Sequence, residues 1–392
     1  MRYIDQLSLN GKKVFVRADL NVPLTKDGGV ADETRIVASV PTIAHVLEQG
    51  GAAIVCSHLG RPDGKREERY SLRPVAKRLS ELLDTEVVLA PDCVGPETEK
   101  AAANLAMGKV LLLENVRFHA EEEANDADFA KRLAELADVY VNDAFGTAHR
   151  AHASTAAIVA HFEEKAGGLV MKRELDYFER ALEKPARPLV AIFGGAKISS
   201  KLKALRNVAP KADRILVGGA MANTFFAAHG YNVGKSLYEP KQVEAALEAE
   251  RYIRSNNCEL VLPTDVLVAP ELQSGVPTKA VPVSEIPQDW MALDIGPNSL
   301  ETFRKAMEGA GTLVWNGPMG AFETKEFSSG TYGIIDALTQ APGLTVVGGG
   351  ETDQAIHERH ALDKISFVST GGGAFLTLLE GSPLPAVDAL NQ

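Results

Sequence analysis

Cysteine is scarce: Cys56, Cys93 and Cys258 are the three in 392 residues. They are widely spaced and never form a CxxC pair. This argues against a disulfide framework and against a zinc site, and it fits a reducing compartment. Long apolar runs are missing too. No window approaches 18 uninterrupted apolar residues, so no transmembrane helix is predicted. The stretch Met1–Gln6 lacks the apolar core of a signal peptide, and a cytoplasmic location is expected. Positive charge is the minority sign. Lys and Arg number 41 against 52 Asp and Glu, a net −11 that divides evenly over the two halves. That balance disfavours a nucleic-acid or membrane binder driven by bulk charge. Any phosphate recognition must come from a local cluster of cations on an acidic background. Two glycine fingerprints are also absent from the right contexts: the dinucleotide GxGxxG and the Walker GxxxxGK[ST].

What is present is a globular composition, 45% apolar and 24% charged. The length exceeds what one core usually supports, so roughly two domains are expected. Short apolar runs predict strands at Val14–Arg17, Ala53–Ser57, Val87–Leu89, Val110–Glu114 and Val139–Asn142. They continue at Leu189–Phe193, Ile215–Val217, Leu260–Leu262, Thr312–Trp315, Leu344–Val347 and Ser366–Val368. Several lack period-2 alternation, as strands buried on both faces do. Helix-period segments lie between them: Thr34–Glu48, Arg73–Leu83, Asp126–Ala137, Lys241–Ser255 and Ser299–Glu308. The alternation predicts an α/β architecture with parallel sheets. Leu169–Leu182 reads as a helix able to bridge two lobes, with Pro185 and Pro188 behind it. The expected divisions are an N-terminal domain over 1–168, a bridging helix over 169–185, and a second domain over 186–375.

In such sheets ligands bind beyond the C-terminal ends of strands. Four predicted strand ends in the first half lead into Asp19 and Asn21, His58 and Arg61, Arg117, and Arg150. Arg35 opens the first long helix. Guanidinium groups grip phosphate and carboxylate through paired N–H donors, and Asp and Asn suit a hydroxyl. Singly, such arginines are ordinary surface charges. As a set after successive strands they point to a small anion with more than one negative group, without naming it. The neighbouring run Glu121-Glu122-Glu123 reads only as a solvated loop or helix start.

The second half carries glycine turns instead. Gly194-Gly195-Ala196-Lys197 follows a strand and leads to Lys201. Gly218-Gly219, Gly348-Gly349-Gly350-Glu351-Thr352 and Gly371-Gly372-Gly373 follow others. Glycines let backbone approach phosphate, and helix starts offer free N–H donors. Lys197 and Lys201, four apart, are expected on one face of a helical turn. Any one turn could be packing alone. Together they point to a nucleotide or polyphosphate cradle. Asn316 lies in Trp315–Gly320, which leads to Glu323, a carboxylate suited to ribose hydroxyls. Glu351 offers the oxygen that Mg²⁺ prefers.

Taken together these stretches resemble the phosphoglycerate kinase family over essentially the whole chain. Carrying the resemblance are Val16–Pro23, Ser57–Pro62, Asn142–Arg150, Gly194–Lys197, Trp315–Gly320 and Ser369–Ala374. It implies two Rossmann-like lobes joined by a hinge helix, with the tail, 376–392, packing back on the first. It implies reversible phosphoryl transfer between 1,3-bisphosphoglycerate and ADP, giving 3-phosphoglycerate and ATP, in glycolysis and gluconeogenesis. The matched positions assign Asp19, Asn21, Arg35, His58, Arg61, Arg117 and Arg150 to the sugar acid. Gly194, Gly195, Lys201, Gly218, Asn316, Glu323, Gly349, Gly350, Glu351 and Thr352 go to the nucleotide. Arg35, Lys197, Gly371 and Gly372 surround the transferred group. Mg²⁺ and a monomeric state are also implied. The family more often has Asp where this chain has Glu351.

Overall fold

The computed structural model describes Met1–Gln392. The strands are β1 (Lys13–Arg17), β2 (Ala52–Cys56), β3 (Val87–Leu89), β4 (Val110–Leu112), β5 (Val139–Asn142) and β6 (Lys165–Gly167). They continue as β7 (Leu189–Phe193), β8 (Arg214–Val217), β9 (Glu259–Val261), β10 (Asp265–Ala269), β11 (Lys279–Pro282) and β12 (Met291–Ile295). The last are β13 (Thr312–Asn316), β14 (Leu344–Gly348) and β15 (Phe367–Ser369). The chain divides into two compact units. Unit 1 is Met1–Leu175 with Pro383–Gln392, and unit 2 is Asp176–Ser382.

Unit 1 is built on a parallel sheet in the order β3-β4-β2-β1-β5-β6. Its strands read as unbroken apolar runs because both faces are covered. Val14 and Val16 join one apolar cluster, with Val55 and Leu79. Phe15 points the other way into a second cluster, with Ile54, Leu133 and Tyr140. This is the period of two expected of a strand. Chain order reverses between β1 and β5, which opens a crevice at their C-terminal ends. Leu390, in the last helix (Pro385–Leu390), belongs to the second cluster. Residues 376–382, expected in the tail on the first lobe, lie in unit 2. There Phe375 and Leu379 of the helix Gly373–Leu379 enter the core.

Unit 2 repeats the plan, with parallel order β15-β14-β13-β7-β8-β9. Its reversal lies between β13 and β7. It adds an antiparallel sheet, β11-β10-β12, which the hydropathy pattern did not announce.

The helices Thr34–Glu48 and Arg73–Leu83 form at the expected bounds. Asp126–Ala137 shortens to Ala127–Ala134, because Asp126 stands outside as its cap and accepts the Phe129 N–H at 2.8 Å. The bridging segment is α-helical over Leu169–Phe178, then loosens into a π turn, Glu179–Glu183. No helix is long and apolar enough to cross a membrane.

Candidate active site

In unit 1 the strand-end loops interlock through the residues singled out for anion binding. Arg35 donates to Asp19 Oδ2 at 3.0 Å and to the Asn21 carbonyl at 3.3 Å. The Asn21 amide oxygen accepts the Gly60 N–H at 2.8 Å. Arg117 returns to the Gly60 carbonyl at 3.0 Å and pairs with Glu123 at 3.2 Å. The loops after β1, β2 and β4 are thus tied around a set of cations. Arg61 follows Gly60, is exposed, and makes no hydrogen bond or ion pair. Arg150 donates to His149 Nε2 at 3.2 Å.

Two histidines of the set are held neutral by burial and by the arginines near them. Burial first, then Arg17, Arg117 and Arg35, hold the His58 pKa well below the usual imidazole range. Burial, with Arg117, Arg17 and Arg150, pushes His152 down to about 4. His149 Nδ1 and His152 Nδ1 are buried without a hydrogen-bond partner. Orphaned polar atoms around arginines mark a place suited to an oxyanion.

Beneath this set is a group that the sequence reading missed. Arg17, at the end of β1, is fully buried. Its Nε donates to Ser154 Oγ at 2.7 Å and its Nη2 faces His58 Nδ1 at 3.4 Å. Ser154 bonds Glu122 through Oγ at 2.6 Å and through N–H at 2.8 Å. Glu122 is therefore not a solvated member of an acidic run. It is the buried counter-charge of Arg17, 4.0 Å away. The sequence signal was a charged residue ending an otherwise apolar strand.

In unit 2 a cavity of about 380 Å³ opens at the ends of the sheet, lined by Gly195, Gly219, Lys235, Asp294, Glu323 and Glu351 among others. A second of about 230 Å³ is lined by Lys201, Asn316, Gly349, Gly350, Glu351, Thr352 and Gly372. Glu351 stands in both, in the first turn of the helix Gly350–Glu358. Lys201 Nζ bonds the Asn316 amide oxygen, and burial pushes its pKa down to about 8. Asn316 donates to the Gly348 carbonyl at 2.7 Å, and Thr352 Oγ1 accepts the Gly317 N–H at 3.1 Å. Asp294 is buried, accepts the N–H groups of Gly330 at 2.7 Å and Ile295 at 2.9 Å, and is pushed up to about 7 by burial.

Some expectations need correcting here. Gly194 and Gly218 stand behind the cavity rather than in its wall. A Cβ on Gly194 would sit 2.1 Å from the Pro318 carbonyl, and one on Gly218 would sit 2.5 Å from Met319 Sδ. These glycines serve close packing, and Gly195 and Gly219 provide the lining. Lys197 and Lys201 do not share a helical face. Lys197 is extended, a 3-10 turn spans Ile198–Ser200, and the helix begins at Leu202. Lys197 is exposed and lines neither cavity. The Gly371 N–H is taken by Ser369 Oγ at 3.0 Å.

The chain is similar to known proteins over its whole length. The family model described as phosphoglycerate kinase matches residues 4–382. The chain is 51% identical over 393 residues to "Phosphoglycerate kinase" of Geobacter metallireducens, covering 100% of this chain and 99% of the relative. It is 50% identical over 392 residues to "Phosphoglycerate kinase, cytosolic" of Triticum aestivum, covering 99% and 98%. Among solved structures, phosphoglycerate kinase from Coxiella burnetii superposes with TM-score 0.91 at 41% identity, covering 100% of this chain and 98% of that one. The Pyrococcus horikoshii enzyme superposes with TM-score 0.85 at 31% identity, again covering 100% and 98%. An α/β chain that carries these strand-end loops and matches these proteins from end to end belongs to the phosphoglycerate kinase family of enzymes.

Proposed function

We propose that this enzyme transfers a phosphoryl group between 1,3-bisphosphoglycerate and ADP, giving 3-phosphoglycerate and ATP. The observation that carries the reading is that each unit has an anion site of different chemistry. Unit 1 offers guanidinium groups and orphaned imidazole nitrogens. Unit 2 offers a glycine-walled cavity with Lys201, Asn316 and Glu351. Asp19, Asn21, Arg35, His58, Arg61, Arg117 and Arg150 hold the sugar acid. Gly195, Gly219, Lys201, Asn316, Glu323 and the Gly349–Thr352 turn hold the nucleotide.

The accepting carboxylate carries no proton at neutral pH, so the transfer needs no general base. Rate comes from in-line positioning and from neutralising the equatorial oxygens. Arg35, Lys197 and the Gly372 N–H are the groups for that task. Lys197, unengaged and on the extended segment after β7, is free to reach the moving group. Glu351 fits Mg²⁺, a hard ion that usually takes one or two carboxylates and completes its shell with phosphate oxygens and water. Bound there it would neutralise phosphate charge. Water must be kept from the acyl phosphate, so closure about Leu169–Glu183 is part of the proposal.

A coupled assay of ATP formation from 1,3-bisphosphoglycerate and ADP tests the reading directly. Turnover is expected. Nucleotide binding in unit 2 without turnover would leave a binding module on this fold and refute the enzyme mechanism.

A further inference from the structure

We propose that Glu122, Ser154 and Arg17 act as a positioning chain that fixes His58 as the neutral Nε2–H tautomer, so that the ring offers the substrate oxyanion one hydrogen-bond donor and no proton to give away. This deepens the proposed function and rests on it for the identity of the oxyanion.

Donor and acceptor capacity fixes the tautomer. A guanidinium only donates, and a carboxylate only accepts. Ser154 Oγ receives Arg17 Nε–H at 2.7 Å, so its own hydrogen must go to Glu122 Oε1 at 2.6 Å. Arg17 Nη1 is committed to the Ala18 carbonyl at 2.5 Å. Nη2, 3.4 Å from His58 Nδ1, can only point a hydrogen at that nitrogen. Nδ1 must therefore supply a lone pair, and a neutral ring must carry its single hydrogen on Nε2. Nε2 has no protein partner and is not among the buried orphans, so it is open to a ligand.

A second proton would have to enter a buried ring faced by Arg17 from β1, Arg117 from the loop after β4, Arg35 from the first long helix and His152 from the loop after β5. Glu122 offsets Arg17, with Oε1 4.0 Å from the same Nη2 that faces His58, and its carboxylate is held by Ser154. The arrangement has chemical sense for a carboxylate acceptor. An imidazolium in contact with it could protonate the attacking oxygen and quench it, whereas the neutral donor orients it and leaves its lone pair.

The test is long-range ¹H–¹⁵N correlation on histidine-labelled, full-length protein without ligand, with His58 assigned by His58→Gln. The wild-type ring is expected to show a pyridine-type Nδ1 and a pyrrole-type Nε2, unchanged from about pH 8 to about pH 5.5. Arg17→Met and Glu122→Gln are expected to mix the tautomers. They are expected to raise KM for 3-phosphoglycerate roughly tenfold while KM for ATP stays within about twofold. A wild-type ring protonated on Nδ1, or titrating near the usual imidazole value, overturns the proposal. Because that spectrum comes from the unaltered protein, a variant that fails to fold cannot rescue it. A correct tautomer in a protein without kinase activity would instead refute the proposed function and leave the positioning chain standing.

Discussion

Arg35 spends one Nη atom on Asp19 and Asn21, which fixes the plane of its guanidinium at the start of the first long helix. Arg35→Ala is expected to lower kcat by about 10²-fold or more, the usual size for a lost transition-state donor. A near-normal kcat in the coupled assay would remove it from the mechanism. Lys201 is half-buried beside Asn316 and Glu351 in unit 2. Lys201→Ala should weaken ADP binding in calorimetry far more than 3-phosphoglycerate binding, and the reverse order would contradict the division of ligands. Asp294 makes a prediction about pH. Its folded pKa, about 7, lies above the ordinary 3.8. Between those values the folded chain holds the extra proton, so stability falls as pH rises through that window. Asp294→Asn should flatten this slope in urea midpoints measured across pH, and an unchanged slope would refute the burial argument. The residues proposed for the anion site were legible as residue types following strands. Glu122 was not, because nothing in a run of three glutamates says which one meets a buried arginine. Only the tertiary partner decides that.

At the scale of elements, the doubly covered strands were the most legible. Leu189–Phe193 formed as read, since five consecutive buried residues leave no other face to solvent. The β6 strand, Lys165-Ala166-Gly167, carries no hydrophobic signal and is held by pairing with β5. The β11 strand is largely exposed and ends in proline. β10 and β12 pair antiparallel and interrupt the strand–helix rhythm on which the reading relied. The turn after β7 makes a contrast that can be measured. Gly194→Ala would drive a methyl into the Gly317 and Pro318 carbonyls at 2.5 and 2.1 Å, and these are backbone atoms with little room to yield. A loss of about 2 kcal/mol or more is expected in thermal or urea unfolding. Gly350→Ala has nothing within 4 Å of the added carbon and sits in a helix, where alanine is favoured. It should leave stability equal or higher. Equal destabilisation by the two would show that the turn is not close-packed.

At the scale of the whole molecule, each unit carries apolar clusters of its own on both faces of its sheet. The proposed closure during turnover can be measured directly. Small-angle scattering with 3-phosphoglycerate and nucleotide bound together should give a smaller radius of gyration than with either alone, and an unchanged radius would count against it. The route of the chain carries a separate consequence. It leaves unit 1 at Leu175 and rejoins it at Pro383, where Ala386 donates its N–H to the Ala148 carbonyl and Leu390 enters the core beside Phe15 and Tyr140. On the ribosome, therefore, the unit begun first is finished last. Unit 2 is one continuous stretch, whereas unit 1 needs a segment made after the whole of unit 2. A chain cut after Ser382 would leave the apolar seat of Leu390 in unit 1 uncovered.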